Sequence, residues 1–137
     1  MKILATVDPS YNAHLAVTKA VHIAKKEGAE LTLLSVAEVF EDIESLFGVT
    51  ATERLHERAS AALDAAKAIA VAAGVTPKLD LETGVSPEEI IVDIARKGGF
   101  DLIVLGTRGK KGVSKLLLGS VSSRVAAEAP CSVLVVR

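Results

Sequence analysis

The chain predicts an α/β fold, a parallel β-sheet held between two layers of helices. Three observations lead there. Short, unbroken apolar runs recur along the chain, as strands covered on both faces require. Between them lie longer segments whose apolar residues repeat at helical spacing. The joints are short and marked by glycine or proline, and a repeated strand-then-helix order implies right-handed crossovers into one parallel sheet. With 137 residues and no internal repeat or linker, the whole span 1–137 reads as one domain.

Residues 2–7 (KILATV) form the first apolar run. Ser10 or Asn12 can cap a helix that buries Ala13, Val17, Ala20, Val21 and Ala24 and stops at Gly28. Residues 30–37 are the second strand. The next helix spans 52–73, with Leu55, Ala59, Ala62, Leu63, Ala66, Ile69 and Ala73 on its apolar face and Gly74 at its end. Residues 78–82 alternate, placing Leu79 and Leu81 on one side, as a half-covered strand near a sheet edge does. Ser86-Pro87-Glu88-Glu89 opens a helix with a capping serine, a proline in the first turn and two acids at the positive end of the dipole. That helix buries Ile91, Ile94 and Ala95 and ends at Gly98-Gly99. Residues 101–105 are the fourth strand, 116–129 a helix burying Leu117, Val121, Val125 and Ala129, and 132–136 the fifth strand. Residues 38–51, with Phe40, Phe47 and four acids, read either as a surface excursion pinned by two rings or as a lid over the strand ends.

Composition removes several functions. A formal charge of −1 and an aromatic content of 3% argue against a nucleic-acid partner. No segment has the length of a membrane span and no signal peptide is visible. The single Cys131 cannot close an internal disulfide, which fits a cytoplasmic location. With no histidine near it in sequence, it reads as a small buried hydrophobe. His14, His22 and His56 have no second ligand four residues further on, so no metal site is expected.

The most specific feature is Gly106-Thr107-Arg108-Gly109, nine residues, then Gly119-Ser120, running from the fourth strand into the last helix. A strand, a glycine-punctuated loop and a helix start together present backbone N–H groups to phosphate oxygens. Glycine allows close approach of the main chain and positive φ. Ser120 adds a hydroxyl. The loop is neither a Walker A sequence, since Gly109-Lys110 is followed by Lys111, nor a dinucleotide fingerprint, since Asp8-Pro9-Ser10 follows the first strand. Arg108, Lys110 and Lys111 either neutralise phosphate charge or stay solvated, and Tyr11 packs on a ligand or on its own helix.

These blocks, with the opening ILATVDPS, the LLSV strand at 33–36, GVSP at 84–87, and LLGSVS running on to Ala129-Pro130-Cys131, resemble the universal stress protein family over essentially the whole chain. The loop matches that family's ATP-binding subclass. The resemblance implies a three-layer α/β/α sandwich, Rossmann-like and similar to the adenine nucleotide alpha hydrolases, with strand order 3-2-1-4-5. The order reverses between strands one and four, so the crevice opens at their carboxyl ends. Carried onto this sequence, the resemblance implies that Asp8 binds adenine or ribose and that Val36 offers its backbone to the adenine edge. Gly106, Thr107, Arg108, Gly109, Gly119, Ser120, Val121 and Ser122 then line the ribose–triphosphate path. Mg²⁺ is held mainly by phosphates and water. Thr6 and Ser132 stand where many members carry proline.

The resemblance also implies a homodimer through strand 132–136, which would cover an apolar sheet edge. The expected function is a nucleotide-dependent stress regulator or signalling dimer. A slow ATP hydrolase, or an adaptor whose cleft is empty or holds AMP, are the alternatives. No residue in the sequence is evidently poised to orient water, and no arginine clamp stands beyond Arg108.

Overall fold

Strands at the centre of a sheet are buried on both faces, and strands at its margins are not. That difference is visible in a computed structural model of the chain, which describes residues 1–8, 11–39, 48–107 and 118–137. Elements follow the order β1 (Lys2–Val7), α1 (Tyr11–Glu27), β2 (Glu30–Glu38), α2 (Val49–Ala72), β3 (Lys78–Gly84), α3 (Pro87–Gly98), β4 (Leu102–Gly106), α4 (Ser120–Glu128) and β5 (Ser132–Val136). The five strands form one sheet in the order β3-β2-β1-β4-β5, with every adjacent pair parallel. This is the predicted order.

Chain direction explains the layers. The steps from β1 to β2 to β3 run one way across the sheet, and those from β3 to β4 to β5 run the other. Right-handed crossovers therefore place α1 and α2 on one face and α3 and α4 on the other. On the first face Ile3, Ala5, Val7, Leu31, Leu33 and Val104 pack against Val17, Val21, Leu63, Ala66 and Ala70. On the second, Leu4, Leu34, Ile103 and Leu105 pack against Ile91, Val92, Ala95 and Val125. Strand alternation sends successive residues to opposite cores, so β1, β2 and β4 carry apolar residues on both faces. On edge strand β3, by contrast, Leu79 is exposed and Leu81 half-buried.

Most boundaries fall within two residues of expectation. Two departures are larger. Helix α2 starts three residues early, at Val49, with Gly48 at its N-cap. Helix α4 starts at Ser120 rather than 116. Gly119 is its N-cap with extended backbone, Leu118 is exposed, and the first helical bond runs from Ser123 N–H to Gly119 O at 2.9 Å. Ser10, Leu117 and the segment 40–47, with Phe40 and Phe47, lie outside the described residues. The flanks of that segment are regular, since Glu38 belongs to β2 and 49–51 to α2. No helix of the described residues is long and apolar enough to cross a membrane.

Ser86 sits at the N-cap of α3 with extended backbone, and Pro87 opens the helix, as expected. Its hydroxyl does not cap the backbone. It donates instead to Glu88 Oε1 at 2.7 Å, because a carboxylate is the stronger partner. Glu88 also accepts from Arg124 Nη1 of α4 at 3.2 Å. The Ser86 hydroxyl first, and Arg124 to a smaller degree, hold the Glu88 carboxyl below its ordinary value.

Candidate functional site

The amino ends of β1 and β4 are stitched together while their carboxyl ends part. At the amino end Lys2 N–H donates to Asp101 Oδ2 at 2.7 Å, and Asp101 N–H returns to Lys2 O at 2.8 Å. Pairing of β1 with β4 stops at Ala5–Val104. Each strand continues pairing with its outer neighbour, β1 with β2 as far as Val7–Ser35 and β4 with β5 as far as Gly106–Val136. A crevice opens where the sheet order reverses, at the carboxyl ends of the strands. It holds a cavity of about 400 Å³, within the usual range for a small-molecule site. A larger hollow of about 700 Å³ lies over α3 and is lined by Glu89, Asp93, Arg96 and Glu128 among others. It is an open groove between solvated charges, and the switch-point cavity is the better site on physical grounds.

Asp8, Val36, Gly106, Gly119, Ser120, Val121 and Ser122 all line the switch-point cavity. The ends of β1, β2 and β4 and the start of α4 thus converge on one hollow. Thr107 is buried beside it and works through its backbone. Its N–H donates to Val136 O of β5 at 3.1 Å, and its carbonyl accepts the Gly119 N–H at 2.6 Å. The same carbonyl accepts the Ser122 hydroxyl at 3.0 Å, which also lies 3.1 Å from Gly119 O. Thr107 is therefore the knot that ties the start of α4 to the end of β4. Arg108 and Gly109 lie outside the described residues.

Positive φ does not explain Gly119 or Gly106. Gly119 has φ −66° and ψ 163°, a conformation open to any residue, and Gly106 is a strand residue. What glycine supplies at these two positions is the missing side chain.

Several cavity residues were not anticipated as site residues: Ala13, Glu38, Leu55, Arg58, Pro87 and Ile91. Helix α2 brings Leu55 and Arg58 in because it descends from the carboxyl edge of the sheet. It is held there by the Ser35 hydroxyl, which donates to Ala59 O at 2.9 Å. One signal existed in the sequence: Arg58 interrupts the apolar face three residues after Leu55 and directly before Ala59.

Among the described residues, the charged groups lining the cavity are Asp8, Glu38 and Arg58. Among the described residues no three His, Cys, Asp or Glu side chains group closely enough to hold a metal ion. Cys131 packs half-buried against the α3–α4 core. Burial, and then the nearby Asp101, push its thiol pKa up, so the nucleophilic thiolate is disfavoured.

All of residues 1–137 match the model of the universal stress protein family. The chain belongs to that family. A universal stress family protein of Staphylococcus haemolyticus is 37% identical over 139 residues, covering 98% of this chain and 83% of that protein. Among solved structures, the universal stress protein UspA from Lactobacillus plantarum superposes with a TM-score of 0.88 at 30% identity, covering 100% of this chain and 97% of that one. A universal stress protein in complex with cAMP has a TM-score of 0.76 at 26% identity, covering 100% and 97%. In this universal stress protein the cavity thus occupies a scaffold that nearly the whole chain shares with its relatives.

Proposed function

We propose that this universal stress protein binds an adenine nucleotide, ATP in the first instance, and acts as a nucleotide-dependent regulator or signalling dimer in the cytoplasm. The observation that carries the reading is the convergence of Asp8, Val36, Gly106 and the start of α4 on one cavity. The first N–H groups of a helix have no intrahelical acceptor. Those of Ser120, Val121 and Ser122 therefore serve phosphate oxygens at the positive end of the α4 dipole. Gly119 serves through its lack of bulk, since its own N–H is taken by Thr107. Arg108 and Gly109 complete the phosphate path from the loop. Asp8 and Val36 take the nucleoside. Mg²⁺ fits this donor set only as a passenger, held by phosphate oxygens and water rather than by a cluster of carboxylates.

A second reading is favoured by one observation: a 26% identical neighbour is a complex with cAMP. In it the working ligand carries a single phosphate. Calorimetric titration with AMP, cAMP, ADP and ATP, with and without Mg²⁺, separates the two. Tightest binding of Mg·ATP supports the first, and AMP or cAMP binding at least as tightly supports the second. No measurable affinity for any of them rejects both. Sustained turnover of ATP by the pure protein would make it a hydrolase instead. The dimer is proposed through β5, whose half-buried Val133, Leu134, Val135 and Val136 form a sheet edge.

A further inference from the structure

We propose that Arg58 on α2 is a ligand contact at the nucleoside end of the cavity, an assignment that rests on the nucleotide reading above. The charge map supplies the argument. The amide groups at the start of α4 and Gly106 stand on the β4 side of the crevice, while Glu38, Leu55 and Arg58 stand on the β2 side. Strand β1 lies between them, so the two sides are about 10 Å apart across two strand spacings. They also belong to opposite faces of the sheet, since α2 packs with one core and α4 with the other.

Two carboxylates, Asp8 and Glu38, line the β1–β2 side. They repel phosphate from that side, while the α4 N-terminus attracts it. An elongated nucleotide therefore lies with its phosphates on α4 and its ring system towards α2. Arg58 is the one cation among the described residues lining the cavity. It makes no ion pair or hydrogen bond with any described residue. A planar guanidinium suits an aromatic base, because it can stack on the ring face and donate to ring nitrogens. Arg58 also follows Leu55 by three residues, on the same side of the helix, so an apolar side chain flanks it against the ring.

The test compares wild type with Arg58→Ala and Arg58→Lys, titrating each with AMP and with ATP in low and in high salt. Arg58 is exposed on a helix, and alanine is the best helix former, so the fold is expected to survive; circular dichroism checks it. The expected result is a loss of about tenfold in Arg58→Ala, equal for AMP and ATP and insensitive to salt. Arg58→Lys should recover only part of it. Unchanged affinity in Arg58→Ala overturns the assignment while leaving the nucleotide reading intact. A loss that grows with phosphate number and shrinks in high salt makes Arg58 a phosphate contact and also overturns it. If wild type binds neither ligand, the nucleotide reading falls and takes Arg58 with it.

Discussion

Gly119 offers a test of the cavity free of backbone strain, because its φ of −66° and ψ of 163° suit any residue. Gly119→Val should weaken adenylate binding by at least about tenfold, yet lower stability by only about 1 kcal/mol, the scale of a changed helix cap. Calorimetry and urea unfolding read the two effects separately, and retention of full ATP affinity would remove Gly119 from the phosphate path. Ser122 predicts the reverse emphasis. Its hydroxyl is buried and committed to the Thr107 and Gly119 carbonyls. Ser122→Ala should cost about 1–2 kcal/mol in urea unfolding through the lost buried hydrogen bond. A stability equal to wild type would show that the Gly119–Thr107 bond alone holds α4. Neither division of labour was readable from residue types. Both serines and both glycines look like ligand groups in sequence, and competition among nearby carbonyls decides which of them are already committed.

At the scale of elements, the ends of α3 carry two distinct devices. Its C-terminus closes on Gly99 at φ 64° and ψ 39°, with Phe100 N–H donating to Ala95 O at 3.1 Å. A side chain at positive φ is strained, so Gly99→Ala should cost about 1 kcal/mol in thermal unfolding. The glycine stop was legible because that requirement is local. The N-terminus is different, since Glu88 joins Ser86 to Arg124, 36 residues away. A carboxyl whose folded pKa lies below its unfolded value stabilises the fold above that value and loses the contribution as pH falls through the folded pKa. The advantage of wild type over Glu88→Gln should therefore be full above pH 4.5 and shrink below it. Denaturation curves at neutral and acid pH test this, and a gap independent of pH would refute it. Glu82 on edge strand β3 has the opposite sign: a hydrogen bond with Asp80, and then its like charge, raise the Glu82 pKa. Its ionised form costs stability above that raised value, and the cost is relieved as pH falls.

Ligand and assembly belong to the whole molecule. Binding only to the folded chain adds about 2.7 kcal/mol at a hundredfold excess over Kd. The thermal midpoint should accordingly rise with ATP concentration and stay flat with a nucleotide that does not bind. Pairing through β5 predicts a particle of twice the chain mass by light scattering at micromolar concentration, and a monomer there would refute that interface. The sequence by itself determined the order of strands and helices, the two apolar faces and the glycine-marked loop, because burial periodicity and turn chemistry are written over a few neighbouring residues. Strand order came through family resemblance, which carries topology that local pattern does not. Only the tertiary structure decided that Arg58 and Glu38 line the same cavity as Asp8, that the Gly119 N–H is spent on Thr107, and that Ser86 serves Glu88 rather than the helix backbone. Those outcomes depend on which chain ends meet in space and which acceptor wins each proton, and neither is a property of any short stretch of residues.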